Sequence, residues 1–222
     1  EAERDRLIEE YEEKSEGIIT GTVQIIERAT GNVILEFDDT QAVLVKDKQM
    51  PTDHFRVGDH IKVYVCEVKK DTRNPIIVLS RTHSNFIKRL FEAEIPEIRD
   101  GTVIIHSVAR EAGSRTKVAV YSRDENVDPI GACIGLKGTR KAAILKEVPG
   151  EKIDLVKYSD DLAEFIGASL APATALNVTV HEDGSSTVLV AADQLSLAIG
   201  REGQNVRLAA KLCGHKIDIK AQ

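Results

Sequence analysis

Two short runs carry residue types that could grip a polyanion. The first is Ile134-Gly135-Leu136-Lys137-Gly138-Thr139-Arg140. The second is Ile199-Gly200-Arg201-Glu202-Gly203-Gln204-Asn205. Each is a Gly-x-x-Gly turn behind an apolar helix end and ahead of a segment that can start a helix at once. Glycine has no Cβ, so a sugar–phosphate strand can lie directly on the main chain. The following helix offers unpaired N–H groups and the positive end of its dipole to a phosphate.

The side chains around each turn divide by charge. In the first, Lys137 projects beside the phosphate path, and Arg140 and Lys141 occupy the first turn of the next helix. In the second, Arg201 plays the part of Lys137, with Arg207 and Lys211 further along the helix. Glu202 would repel a phosphate and is expected to turn away or to pair with Arg207. Gln204 and Asn205 can donate to phosphate or read a base edge. The candidate RNA contacts are therefore Gly135, Leu136, Lys137, Gly138, Arg140 and Lys141, then Gly200, Arg201, Glu202, Gly203, Gln204, Asn205, Arg207 and Lys211. Ile134, Ile144, Ile199 and Val206 read as core rather than as a platform for bases.

A lone Gly-x-x-Gly is a common capped loop. Its recurrence with matching surroundings predicts a repeated domain. From 83 to 158 the pattern runs helix, strand, strand, short helix, glycine turn, helix, strand. Ser84 can cap the first helix, and Pro96 ends it. Strands are expected near 101–109 and 116–122, helices at 129–134 and 139–148, and a last strand at 152–157. Residues 159–222 repeat the order. Ser159-Asp160 caps a helix, strands lie near 176–182 and 187–192, and Asp193 caps the short helix 194–199. A helix at 204–213 stops at Gly214, and the closing strand runs from His215 to Lys220. This order with its glycine turn is that of a KH module, which clamps about four nucleotides of single-stranded RNA. The linker between the halves is only Tyr158-Ser159, so the two are expected to pack as one unit and track one strand.

Upstream, apolar residues alternate in short runs, including Val33-x-Leu35-x-Phe37 and Ile61-x-Val63-x-Val65. Five strands are expected near 17–28, 32–38, 41–46, 59–69 and 75–81, with turns at 29–32, 38–39, 57–59 and 71–75. Five short strands with a longer connection after the third match an OB barrel. The Val57-Gly58-Asp59-x-Ile61-x-Val63 entry and the closing Ile77-x-Leu79-Ser80-Arg81 resemble the S1 variant of that fold. Its surface offers Met50, His54 and Phe55, a thin set for base stacking. Residues 1–15 read as a charged linker helix. The chain opens at Glu1 inside that helix without a Met, which predicts a segment before it.

The net charge of −6 excludes a generic basic polyelectrolyte binder, and five of those six excess charges fall within residues 1–81. Binding must therefore come from local clusters and backbone N–H groups. Cys66, Cys133 and Cys213 show no ligand spacing, which predicts reduced thiols and a cytoplasmic setting. No apolar run is long enough to span a bilayer. The six histidines are scattered, and no Walker or Gly-x-Ser-x-Gly pattern occurs, so no enzyme chemistry, metal or cofactor is expected.

The run Asn126-Val127-Asp128-Pro129-Ile130-Gly131-Ala132-Cys133-Ile134-Gly135 resembles a signature of the NusA family of bacterial transcription termination/antitermination factors. So does the run from Leu195 to Ala209. The likeness covers the whole chain. It implies a multidomain protein: linker helix 1–15, an all-β S1-type OB barrel at 16–82, and α+β KH domains of the bacterial type at 83–158 and 159–222. It further implies a non-catalytic core that contacts nascent single-stranded RNA and modulates pausing, termination and antitermination. The implied partners are RNA polymerase, through a domain ahead of Glu1, and other elongation factors, with no membrane and a monomeric chain. Two alternatives stay open. One is the accessory region of an RNA-degrading enzyme, where KH usually precedes S1 and occurs once. The other is a protein-binding scaffold.

Overall fold

The structure is a computed structural model that describes residues 1–71 and 73–222. Thr72, within the expected turn 71–75, lies outside the described residues. The chain forms two compact units, Glu1–Leu90 and Phe91–Gln222.

The first unit opens with helix α1 (Ala2–Glu13), which buries Ile8 and Tyr11. Five strands follow: β1 (Ile18–Ile26), β2 (Val33–Phe37), β3 (Thr40–Leu44), β4 (His60–Lys69) and β5 (Ile76–Ser80). All pair antiparallel in the order β3-β2-β1-β4-β5. Strands β3 and β5 come side by side, so the sheet curls into a nearly closed barrel. Alternation builds the core: Val33, Leu35 and Phe37 point inward with Val63, Val65 and Leu79. Tyr11 of α1 joins that core with its ring edge-on to Phe37, centroids 6.2 Å apart.

The loop after β3 departs from expectation. Met50 is buried rather than displayed, and Phe55 packs against the core with the Arg81 guanidinium 5.4 Å from its ring. The cause is a buried ion pair: Arg81 Nε donates to Asp53 Oδ2 at 2.8 Å, and Asp53 also accepts from the Met50 N–H. Of the three residues expected on this surface, His54 is the exposed one.

Helix α2 (Ser84–Glu94) is capped by His83, whose Nδ1 accepts from the Asn85 N–H, because Ser84 is already inside the helix. Pro96 does more than end α2. It sits at the first position of a short helix α3 (Pro96–Arg99), where its missing N–H costs nothing.

The second unit repeats one design. Strands β6 (Val103–Glu111), β7 (Arg115–Ser122) and β8 (Lys152–Lys157) form a sheet with β6/β7 antiparallel and β7/β8 parallel. Helices α4 (Pro129–Ile134) and α5 (Thr139–Glu147) make the crossover. After α6 (Leu162–Ser169), strands β9 (Ala175–Val180), β10 (Ser185–Val190) and β11 (Lys216–Ala221) copy the pairing. Helices α7 (Leu195–Ile199) and α8 (Gln204–Cys213) copy the crossover. Asp161 rather than Ser159 or Asp160 caps α6, accepting from the Ala163 and Glu164 N–H groups. Asp193 lies in a single 3-10 turn before α7 and does not cap it.

The two modules share a core. Ala109, Ala119 and Val156 of the first sheet are buried with Phe165, Leu208 and Leu212 of α6 and α8. Two polar networks lie nearby, one within the first module and one that spans both. Arg110 and Glu151 form an ion pair at 2.9 Å that is nearly inaccessible, and Glu151 also accepts from Thr116 Oγ1 and the Gly113 N–H. Lys117, wholly buried, donates to Asp154 at 3.0 Å and to the Ala171 carbonyl at 2.7 Å, crossing from one module to the other. Burial pushes the Lys117 ammonium down from its ordinary value, while the charge of Asp154 opposes this.

The thiols are free, and burial pushes all three up, Cys133 to about 12. Among the described residues no helix is long and apolar enough to cross a membrane, and no cluster could hold a metal ion.

Candidate nucleic-acid interface

The first glycine turn is built from its preceding helix. Asp128 caps α4 by accepting from the Ile130 N–H, and Pro129 takes the first helical position. The helix cannot pass Gly135, whose φ of 76° and ψ of 173° suit glycine alone. Lys137 (φ 57°, ψ 25°) and Gly138 (φ 74°, ψ 14°) are both left-handed, and α5 starts at once. The second turn reproduces this geometry. Gly200 has φ 78° and ψ 169°, Glu202 φ 56° and ψ 26°, and Gly203 φ 75° and ψ 12°, ahead of α8.

Neither α5 nor α8 has a side-chain cap; each is capped by bare glycine. The capped helices α4 and α6 carry aspartates there instead. A side chain at the start of α5 or α8 would occupy the place of an incoming phosphate. The first-turn N–H groups and the dipole therefore face outward at two equivalent places.

The flanking side chains fall into two groups. Leu136, Lys137, Arg201, Glu202 and Lys211 are exposed, and Lys141 is half-buried. Leu136 is 84% exposed, which no packing role explains. The other group is already engaged. Arg140 packs on Gly135 and donates to Glu97 Oε2 at 2.6 Å and the Ala132 carbonyl at 2.8 Å. Gln204 donates to Ser114 Oγ at 2.7 Å.

One expectation needs correction, and of the two courses expected for Glu202 the pairing with Arg207 is not the one taken. Asn205 does not meet phosphate or a base edge: it is 1% exposed, and its Nδ2 donates to the carbonyls of Leu170 and Ala198. It ties α8 to the ends of α6 and α7. Arg207 does not pair with the Glu202 carboxylate. It instead grips both oxygens of Glu111, at 2.7 and 3.2 Å, and donates to the Glu202 backbone carbonyl at 3.0 Å. The left-handed backbone at Glu202 presents that carbonyl to Arg207. The nearby Glu111 carboxylate also holds the Arg207 guanidinium more firmly charged.

Glu97, Glu111 and Ser114 carry no motif that marks them in the sequence. Glu111 and Ser114 flank the β6–β7 turn of the first module, yet they fasten the start of α8 in the second. Only the distance in sequence hides them. Of the apolar neighbours, Ile144 is buried, whereas Ile134 and Ile199 are each 36% exposed beside their turns. Apolar surface is therefore partly accessible beside both turns.

Comparison with known proteins agrees with this architecture. Residues 81–158 match the NusA-like first KH domain, and residues 162–222 match the NusA-like second KH domain. The chain is 48% identical to the transcription termination/antitermination protein NusA of Bacillus subtilis (strain 168), across all of this chain and 60% of that protein. It is 46% identical to the protein of that name from Halalkalibacterium halodurans, across all of this chain and 58% of the relative. The Thermus thermophilus protein is 43% identical, across 98% of this chain and 56% of its own length. The chain thus spans somewhat over half the length of these relatives. With a barrel followed by two matched KH domains and likeness along its whole length, the chain belongs to the NusA family.

Proposed function

We propose that this chain is a single-stranded RNA-binding core that acts in transcription, modulating pausing, termination and antitermination by RNA polymerase. The observation that carries the reading is the pair of matching Gly-x-x-Gly turns, each opening a helix whose N-terminus has no side-chain capping hydrogen bond. Each turn gives a strand bare main chain, free N–H groups and a helix dipole. The contacts are Gly135, Leu136, Lys137, Gly138 and Lys141 in the first clamp, and Gly200, Arg201, Gly203 and Lys211 in the second. Arg140, Gln204 and Arg207 position the loops. Nascent transcript is the natural ligand, and polymerase and other elongation factors are the protein partners. The chain works as a cytoplasmic monomer, without cofactor and without catalysis.

The relatives are named for termination and antitermination, which favours this reading over an accessory region of an RNA-degrading enzyme. Labelled unstructured RNA incubated with the chain, Mg²⁺ and phosphate should be bound and stay intact. Degradation, or no binding, would overturn the proposal.

A further inference from the structure

A cleft of about 550 Å³ opens in the second unit, and no residue of either glycine turn lines it. His106, Tyr121 and Tyr158 line it. The His106 and Tyr158 rings stack with centroids 3.9 Å apart and planes 14° apart, and Tyr121 lies 5.6 Å from Tyr158. Three carboxylates share the lining: Asp124, Glu125 and Asp160. Two of them are fixed in place. Asp124 Oδ1 accepts from the Asn126 N–H, and Asp160 Oδ1 accepts from the Tyr158 hydroxyl at 3.2 Å. One cation, Lys157, also lines the cleft and is outnumbered.

Flat aromatic rings beside an excess of carboxylates disfavour a phosphate strand and favour a planar cation. A guanidinium satisfies both parts, since it stacks on aromatic faces and delivers paired donors to carboxylates. We propose that this cleft is a docking site for an arginine side chain of a basic segment on a protein partner. The cleft shares no residue with the RNA clamps, so this site stands or falls independently of RNA binding.

The test is a titration of the whole chain with a short acetylated peptide of alternating glycine and arginine, followed by NMR of the His106, Tyr121 and Tyr158 ring resonances. Parallel titrations use the lysine counterpart and oligo(U) RNA. The arginine peptide should shift the three rings saturably, with the lysine peptide weaker. The double substitution Asp124→Asn with Glu125→Gln should lower arginine-peptide affinity about tenfold. Asn at 124 keeps the oxygen that accepts from the Asn126 N–H, so the fold is spared. The control Glu3→Gln with Asp5→Asn, an equal charge change on α1, should leave affinity unaltered. The proposal is overturned if the rings do not move, if the control pair costs as much as the cleft pair, if lysine serves as well as arginine, or if oligo(U) moves these rings instead.

Discussion

Lys137 and Glu202 adopt one backbone conformation, φ 57° and ψ 25° against φ 56° and ψ 26°, at the same place in two glycine turns. The clamps therefore match in shape and differ in charge. At this position the first turn carries a cation, Lys137, and the second an anion, Glu202, next to the cation Arg201. In the clamp we propose, main-chain N–H groups supply the grip, and charge tunes its strength and its salt dependence.

Glu202→Lys should convert the second clamp to the character of the first. RNA affinity should rise, and the log–log salt slope should steepen by about 0.7 for each phosphate that the new cation neutralises. Filter binding between roughly 50 and 200 mM salt measures this. An unchanged slope would place residue 202 off the strand's path.

The first glycine of one turn and the last glycine of the other are not equivalent. A Cβ on Gly200 would stand 2.7 Å from the Asn205 backbone nitrogen, whereas one on Gly138 meets open space. Gly138→Ala should cost about 1–2 kcal/mol for its left-handed backbone. Gly200→Ala should cost more, since the backbone of α8 must also shift. Urea unfolding midpoints should fall in that order.

Asn205→Ala should act on stability. It leaves the Leu170 and Ala198 carbonyls without their buried donor, at a cost of about 1–3 kcal/mol. A clear fall in the unfolding midpoint is expected. A variant as stable as the parent would speak against the structural role.

Acid should weaken the junction of the two modules through Asp154. Burial alone would raise its carboxyl pKa, but hydrogen bonds and charge from Arg115 and Lys117 outweigh that and hold it below the ordinary 3.8. A carboxylate depressed in the folded state stabilises fully above its unfolded pKa, and this contribution is lost as pH falls through the folded value. Asp154→Asn should be less stable at neutral pH, because Lys117 is left as a buried unpaired charge. It should also lose less further stability than the parent between about pH 5 and pH 2. Parallel acid titrations of the two would show no difference if Asp154 were uncoupled.

Much of the fold is legible in the chain itself, for identifiable reasons. Alternation marks the barrel strands, and glycines mark the turns. Helices 129–134 and 204–213 fall where expected because Pro129 and Gly214 bound them. The departures come from side chains whose role depends on distant partners. Asn205 has the sequence context of a surface reader, but the ends of α6 and α7 close around it. Arg207 sits near Glu202 in sequence but finds Glu111, 96 residues away. Met50 is drawn inward with the loop that Asp53 and Arg81 pin. A periodic pattern encodes which face is buried, but it does not encode which carboxylate reaches which arginine.

If the two glycine turns hold one RNA strand, their exposed cations must act together on it. Equilibrium titration of a labelled unstructured oligoribonucleotide, about 12 nucleotides long, against four proteins measures this. These are the parent, Lys137→Asp, Arg201→Asp and the double variant. Both positions are exposed, so each variant should fold. Each single change should weaken binding about tenfold and flatten the salt slope, and the double change should abolish binding. A double variant that binds with the affinity and salt dependence of the parent would rule out the paired clamp.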